Sequence, residues 1–341
     1  MSFLYRTPSQ PVPEQGRAGV LLVNLGTPDA LGYRAVRRYL LEFLSDRRVI
    51  EASPFIWQPI LRGIVLATRP FTSGANYARI WDRTRDESPL RTHTRGQAEG
   101  LAARLKDEGV PVEWGMRYGN PSVAAAMDRL MDAGCDRIVV LPLYPQYSAT
   151  TTATANDQVF RALMELRRQP AIRTVPPFPD DARYIDALSK SIRTSLSALP
   201  FRPQRLVASF HGIPKAYVEK GDSYPQDCER TITALRQSLD LREEQMPLTY
   251  QSRFGPTEWI QPYTAPFVAG LPAEGITRIA VVMPGFMTDC IETLDEIGRE
   301  LREEFMHAGG EEFALVPCLN ASPEAIDLIE ALSRDSLAGW L

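Results

Sequence analysis

Histidine is scarce in this chain, with three copies in 341 residues. Cysteine is nearly as scarce. Cys135, Cys228, Cys290 and Cys318 are scattered, and no C-x-x-C pair occurs. That pattern argues against a zinc ribbon or a disulfide framework and suits a reducing compartment. Nowhere is there a run of about 18 apolar residues, so no transmembrane helix is expected. The opening MSFLYRTPSQPVPEQG lacks the apolar centre of a signal peptide, and residues 1–16 are expected to be a disordered tail. Neither sign of charge dominates, since 38 Lys and Arg stand against 42 Asp and Glu for a net −4. A nucleic-acid partner is therefore not expected. Together these absences place the expected protein in the cytoplasm.

Proline is abundant at 28 copies, and many follow short apolar runs, where strands give way to loops. The runs AGVLLVNL (18–25) and RIVVLPL (137–143) read as strands buried on both faces. Helical periodicity marks 33–44, 91–106, 121–133, 155–168, 183–198, 226–239, 290–307 and 323–333. Further strands are expected at 111–118, 171–175, 206–210, 247–252, 277–283 and 313–317. Alternating strands and helices imply parallel sheets flanked by helices.

The chain also resembles itself. Leu25-Gly26-Thr27-Pro28 parallels His211-Gly212-Ile213-Pro214, Arg117-Tyr118-Gly119 parallels Arg253-Phe254-Gly255, and the strand from Arg137 to Pro142 parallels that from Arg278 to Pro284. Three matches in one order imply two similar α/β halves. Gly26 to Arg117 spans 91 residues and Gly212 to Arg253 spans 41, so the first half carries an insertion of about 50, placed at about 45–95. Long insertions of this kind are usually lids or binding walls.

The halves differ where they should be equivalent, because His211 takes the place of Leu25. His211 ends a predicted buried strand, where open α/β sheets place ligands. His93 sits in a charged helix and His307 at a helix end, and both have ordinary structural readings. A second candidate group follows Ile279–Met283. There Asp289, Glu292, Glu296, Glu300 and Glu303 form one stripe at α-helical spacing, opposite Ile291, Leu294, Ile297, Leu301 and Phe305. Glu300 and Glu303 lie beside Arg299 and Arg302 and read as solvated surface. The acids of the first turns read either as capping chemistry or as partners of His211. One histidine facing carboxylates can hold a divalent metal weakly or move protons.

At these residues the sequence resembles the ferrochelatases. The motifs are NLGTP (24–28), SPL (88–90), GMRYGNPS (115–122), YPQYS (144–148), SFHGIP (209–214), GDSYPQ (221–226) and ETL (292–294). The resemblance implies two flavodoxin-like (Rossmann-like) halves with the active-site cleft between them. It divides the chain into a tail at 1–16, a first half at 17–170 carrying the lip, a second half at 171–320, and a C-terminal helix at 321–341 that packs back on the first half. It implies His211 and Glu292 as catalytic and metal-binding residues, Asp289 and Glu296 as a path for protons or metal, and Leu25, Arg69, Tyr77 and Ser88 as porphyrin contacts. The chain departs from the family at Arg85-Asp86-Glu87, where a glycine-rich lead into SPL is common, and at Cys290, where some members have His.

The activity implied is insertion of Fe2+ into protoporphyrin IX, giving protohaem with release of two protons, as the terminal step of haem biosynthesis. It would be a lyase whose partners are the porphyrin and Fe2+, with iron as substrate and no tightly bound cofactor. Some members carry an iron–sulfur cluster on a cysteine-rich tail; the cysteine spacing here leads us to expect none. Coproporphyrin III is the alternative substrate, a cobalt chelatase an alternative activity, and a non-catalytic tetrapyrrole carrier the alternative class. Leu25 stands where coproporphyrin users have a Tyr able to ligate iron, which favours protoporphyrin IX. The apolar residues at 53–68 suggest a lip that touches the inner face of a membrane peripherally.

Overall fold

The computed structural model of the chain describes residues 16–341. Apart from Gly16, the tail expected at 1–16 lies outside the described residues. Among the described residues, eight strands form two parallel sheets. The first holds β1 (Arg17–Gly26), β2 (Val112–Tyr118), β3 (Cys135–Pro142) and β4 (Ala171–Thr174) in the order β2-β1-β3-β4. The second holds β5 (Arg205–His211), β6 (Leu248–Gln251), β7 (Arg278–Val282) and β8 (Glu312–Leu315) in the order β6-β5-β7-β8. The two orders are the same, and each is the start of the flavodoxin-like arrangement. The expected α/β class, two similar halves with parallel sheets and flanking helices, is what the chain adopts.

The central strands explain the continuous apolar runs. Val20, Leu21, Leu22 and Val23 of β1 are fully buried, as are Val207, Ala208 and Phe210 of β5. A parallel strand covered on both faces has no solvent side on which to alternate. The two central strands also end alike. A Cβ on Gly26, whose φ is +123°, would meet the carbonyl oxygen of Tyr118 at 1.9 Å. A Cβ on Gly212 would meet the carbonyl oxygen of Gln251 at 2.9 Å. Each glycine makes room for the last carbonyl of the neighbouring strand.

The chain forms two compact units. One takes the described residues up to Leu143, Ala149–Pro176 and Ile326–Leu341, and the other takes Tyr144–Ser148 and Pro177–Ala325. The sequence boundary at 170 differs from this division, because β4 pairs with β3 from Arg137↔Ala171 to Val140↔Thr174 and so completes the first sheet. A four-residue strand carries no mark of the sheet it joins. Residues 144–148 enter the second unit through polar anchors. Gln146 Nε2 donates to Thr231 Oγ1 at 2.8 Å, the Tyr147 N–H to Asp227 at 3.0 Å, and Ser148 Oγ to Asp222 at 2.9 Å. The last helix, Pro323–Leu337, is held to the first unit by Arg104–Asp327 and Arg334–Glu108 ion pairs, both at 2.8 Å. Arg173 donates to the carbonyls of Ser336 and Ala338 and lies 4.0 Å from the Trp340 ring centroid.

The insertion is helical. Pro54–Ile60, a π turn at Leu61–Val65, and Leu66–Ile80 follow one another without a break. Pro59 and Pro70 lie inside these helices, and interior prolines hide a helix from sequence periodicity. Leu61 and Leu66 are fully buried, and Trp57 Nε1 donates to the Leu44 carbonyl at 2.7 Å. The other face is open to solvent, with Phe55 92% exposed and Ile56, Ile64 and Phe71 each exposed by more than half.

Candidate active site

His211 is the last residue of β5, where its half-buried ring emerges from the sheet beside Gln251 of β6. Its Nδ1 is 2.6 Å from the Gly212 carbonyl. A carbonyl only accepts, so Nδ1 carries the proton in the neutral ring and Nε2 keeps its lone pair. Residues 258–260 lie along the chain just beyond His211. Lys215 N–H donates to the Glu258 carbonyl and Ile260 N–H to the Ile213 carbonyl, both at 3.0 Å. This lacing sets the Trp259 ring 6.3 Å from the His211 ring. A Cβ on Gly212 would lie 3.1 Å from that indole, so the glycine also makes room for Trp259.

Of the acidic row after β7, Glu292, Glu296 and Glu300 do not lie on an α-helix. Glu292–Leu301 is a π-helix, and only Arg302–His307 returns to α geometry. Bonds from i to i+5 widen the turn and rotate residues away from the α-helical stripe. The expected core stripe is thereby corrected. Thr293 and Asp295 are buried, while Ile291 and Leu294 are only half-buried. Asp295, unremarked in the sequence, ion-pairs with Arg299 at 2.6 Å. Wide π turns recur at functional sites, and this one carries Glu292 and Glu296.

The acids have different surroundings. Asp289 is buried, and its carboxylate accepts from Thr293 Oγ1 at 3.0 Å, from Asn320 Nδ2 at 2.6 Å and from the Cys318 N–H at 3.4 Å. Those donors occupy both of its oxygens. Glu296 accepts from the Ser252 N–H at 2.7 Å and from Ser252 Oγ at 2.6 Å. Burial raises the Glu296 carboxyl above its ordinary pKa; the Ser252 bonds and the nearby His211 oppose this, and the charge of Glu292 adds to it. His211 and Glu292 thus both bear on the Glu296 carboxylate. Glu300 and Glu303 are exposed and share Arg299. Among the described residues no group of three or more His, Cys, Asp or Glu side chains is arranged to hold a metal ion. A His–Glu pair is a smaller donor set and a weaker one.

The expected porphyrin contacts lie in the other unit. Leu25 is half-buried at the end of β1, between buried neighbours. Tyr77 is buried, with its ring edge-on to Tyr39 and Trp81. Arg69 is half-buried, and burial lowers its guanidinium pKa from the ordinary value. Ser88 is buried as the N-cap of helix Pro89–Arg104, its Oγ accepting from the Arg91 N–H at 3.4 Å. Sequence reasoning missed Gln251, Ser252 and Trp259. The one local signal for them is their nearness to the repeated Arg253-Phe254-Gly255, a pattern that marks a strand end but not a side-chain role.

Comparison with known proteins gives the family and the fold. The family model described as Ferrochelatase matches residues 17–337. A protein named Ferrochelatase from Gluconobacter oxydans (strain 621H) is 69% identical over 340 residues, covering 100% of this chain and 99% of its own. A Ferrochelatase from Mesorhizobium japonicum is 58% identical over 327 residues, covering 96% and 93%. Among solved structures, SirB from Bacillus subtilis with Fe3+ superposes with a TM-score of 0.55 at 14% identity, over 94% of this chain and 96% of that one, a likeness of fold alone. From Arg17 to Leu337 the chain belongs to the ferrochelatase family.

Proposed function

We propose that this chain, a metal chelatase of haem biosynthesis, inserts Fe2+ into protoporphyrin IX and releases two protons to give protohaem, a lyase reaction. The observation that carries the reading is His211, held at the end of β5 with Nδ1 committed to the Gly212 carbonyl, which leaves the lone pair on Nε2. A free porphyrin holds two pyrrole protons inside a flat ring, so metal enters only as the nitrogens tilt and lose them. Neutral imidazole accepts such a proton near pH 7 or ligates Fe2+ through the same lone pair, one task at a time. Glu292 supplies the second, anionic donor. Metal must leave the protein for four ring nitrogens, and a two-residue site releases it more readily than a full coordination shell. Glu296 serves as the next acceptor for protons. Asp289 acts at a distance, through the helix start that it holds, since its oxygens are occupied. Iron is substrate here, not a resident cofactor.

Leu25, Arg69, Tyr77 and Ser88 are proposed to contact the porphyrin. Leu25 offers apolar contact and cannot ligate iron. One arginine with a tyrosine and a serine hydroxyl suits two propionates better than four. Anaerobic assays with purified protein should give kcat/KM at least about tenfold higher for protoporphyrin IX than for coproporphyrin III. The reverse order would overturn the substrate assignment and leave the chelatase reading intact. Stoichiometric binding of porphyrin without turnover would make the protein a carrier instead.

The exposed face of the insertion is proposed to rest on a membrane surface, from which an apolar porphyrin is drawn. Phe55, Ile56, Ile60, Ile64 and Phe71 are exposed, while Trp57, Leu61 and Leu66 anchor the other side. No helix among the described residues is long and apolar enough to cross a membrane. In flotation with phosphatidylglycerol–phosphatidylethanolamine vesicles, wild type should rise with the lipid, and Phe55→Ser/Ile56→Ser should lose most of that fraction. A wild type that stays wholly at the bottom of the gradient would refute the surface contact.

A further inference from the structure

We infer that Gln251 is a positioning residue, whose side-chain amide ties the π turn of Glu292 to the strand that ends in His211. The inference rests on the chelatase reading above for the meaning of those two residues, and on geometry for the rest. Gln251 is 4% exposed, and its main chain faces His211 in the register of β5 with β6. The Gly212 N–H donates to its carbonyl at 2.8 Å. Its side chain makes three further contacts. Nε2 donates to the Glu292 carbonyl at 2.8 Å and approaches the Glu296 carboxylate at 3.4 Å. Oε1 accepts from Ser209 Oγ at 2.9 Å. The carbonyl and the carboxylate accept only, so the amide orientation is determined by its partners.

Both amide donors and the amide acceptor are therefore used, and they join three parts of the chain. Ser209 lies two residues before His211 on β5. Ser209 Oγ is itself 2.8 Å from Thr264 Oγ1, which stiffens that anchor. Glu292 opens the π-helix, where its carbonyl has a second lone pair for a partner outside the helix. Ser252, the next residue, sits at φ +66°, a strained conformation for a residue with a Cβ. That conformation aims both its N–H and its Oγ at Glu296. Gln251 and Ser252 together hold the acid-bearing turn against the end of β6. Removing the amide frees Glu292 to move relative to His211 without touching any residue assigned to the porphyrin.

Two near-isosteric substitutions separate this role from simple filling of space. Gln251→Met keeps the volume and loses every hydrogen bond. Gln251→Glu keeps the shape and the acceptor for Ser209, but turns an anionic oxygen toward the Glu292 carbonyl and Glu296. Porphyrin fluorescence titration gives the binding-competent fraction, and turnover is expressed per bound porphyrin. The expected result is kcat about tenfold lower for Gln251→Met and about a hundredfold lower for Gln251→Glu. KM for Fe2+ should rise at least fivefold and porphyrin affinity stay within twofold. If both variants keep kcat and the Fe2+ KM within twofold of wild type, or lose turnover only in proportion to lost porphyrin binding, Gln251 is filler and the inference is wrong. Wild-type protein without Fe2+ turnover in the same assay would sink the chelatase reading and this inference with it. Active wild type beside unaltered variants would sink the inference alone.

Discussion

His211→Ala should lower kcat for Fe2+ insertion about a thousandfold while leaving porphyrin affinity within about threefold of wild type. General-base catalysis by a positioned side chain contributes about 10²–10⁴ in rate. The same imidazole is also the proposed nitrogen donor to the metal, so both losses fall on one substitution. Folding should tolerate the change. The ring is half-buried, and its Nδ1 hydrogen bond runs to the carbonyl of its own neighbour, Gly212. Far-ultraviolet circular dichroism and a melting curve would confirm that the variant folds, and anaerobic stopped assays would give kcat. A variant that turns over within threefold of wild type would remove His211 from the chemistry and with it the central element of the proposed function.

Glu292→Ala should follow, with a loss of about a hundredfold, and Glu292→Gln should separate charge from shape by losing nearly as much. Glu303→Ala is the contrast. Glu303 is exposed, and its contact with Arg299 at 3.3 Å is a surface ion pair worth about 0–1 kcal/mol. Its turnover should stay within twofold of wild type. The comparison tests the π winding as well as the chemistry. If all the acids from Glu292 to Glu303 acted as one continuous path, the two alanine variants would lose activity together. Equal losses would show that the exposed end of the row takes part in moving protons or metal.

Strand identity was legible because β1 and β5 are buried on both faces, and such strands leave uninterrupted apolar runs such as Val20–Val23. The duplication was legible for a related reason. Each central strand must stop against its neighbour's last carbonyl, and only glycine fits there, so Gly26 and Gly212 recur in the same local pattern. His211 stood out because it replaces an apolar residue at one of those two equivalent points. The insertion announced itself by length alone. Its helices did not, because Pro59 and Pro70 lie inside them and its exposed apolar face looks in sequence like a core face.

Sequence was thus sufficient for the class of fold, the paired halves, and His211 and Glu292 as the residues on which chemistry is proposed to turn. Each of these is written in local pattern, through burial of a strand, a glycine at its end, or a motif of adjacent residues. Folding in three dimensions settled the rest. It wound Glu292–Leu301 as a π-helix, which buried Asp295 and turned Leu294 partly outward. It gave both oxygens of Asp289 to Thr293, Asn320 and Cys318. It brought Gln251 from β6 under Glu292, 41 residues away in the chain. Helical spacing cannot foresee a change in the number of residues per turn. Nor can any local pattern foresee which distant hydrogen-bond donor a buried carbonyl or carboxylate will meet, because that choice is made only when separate strands close into one sheet.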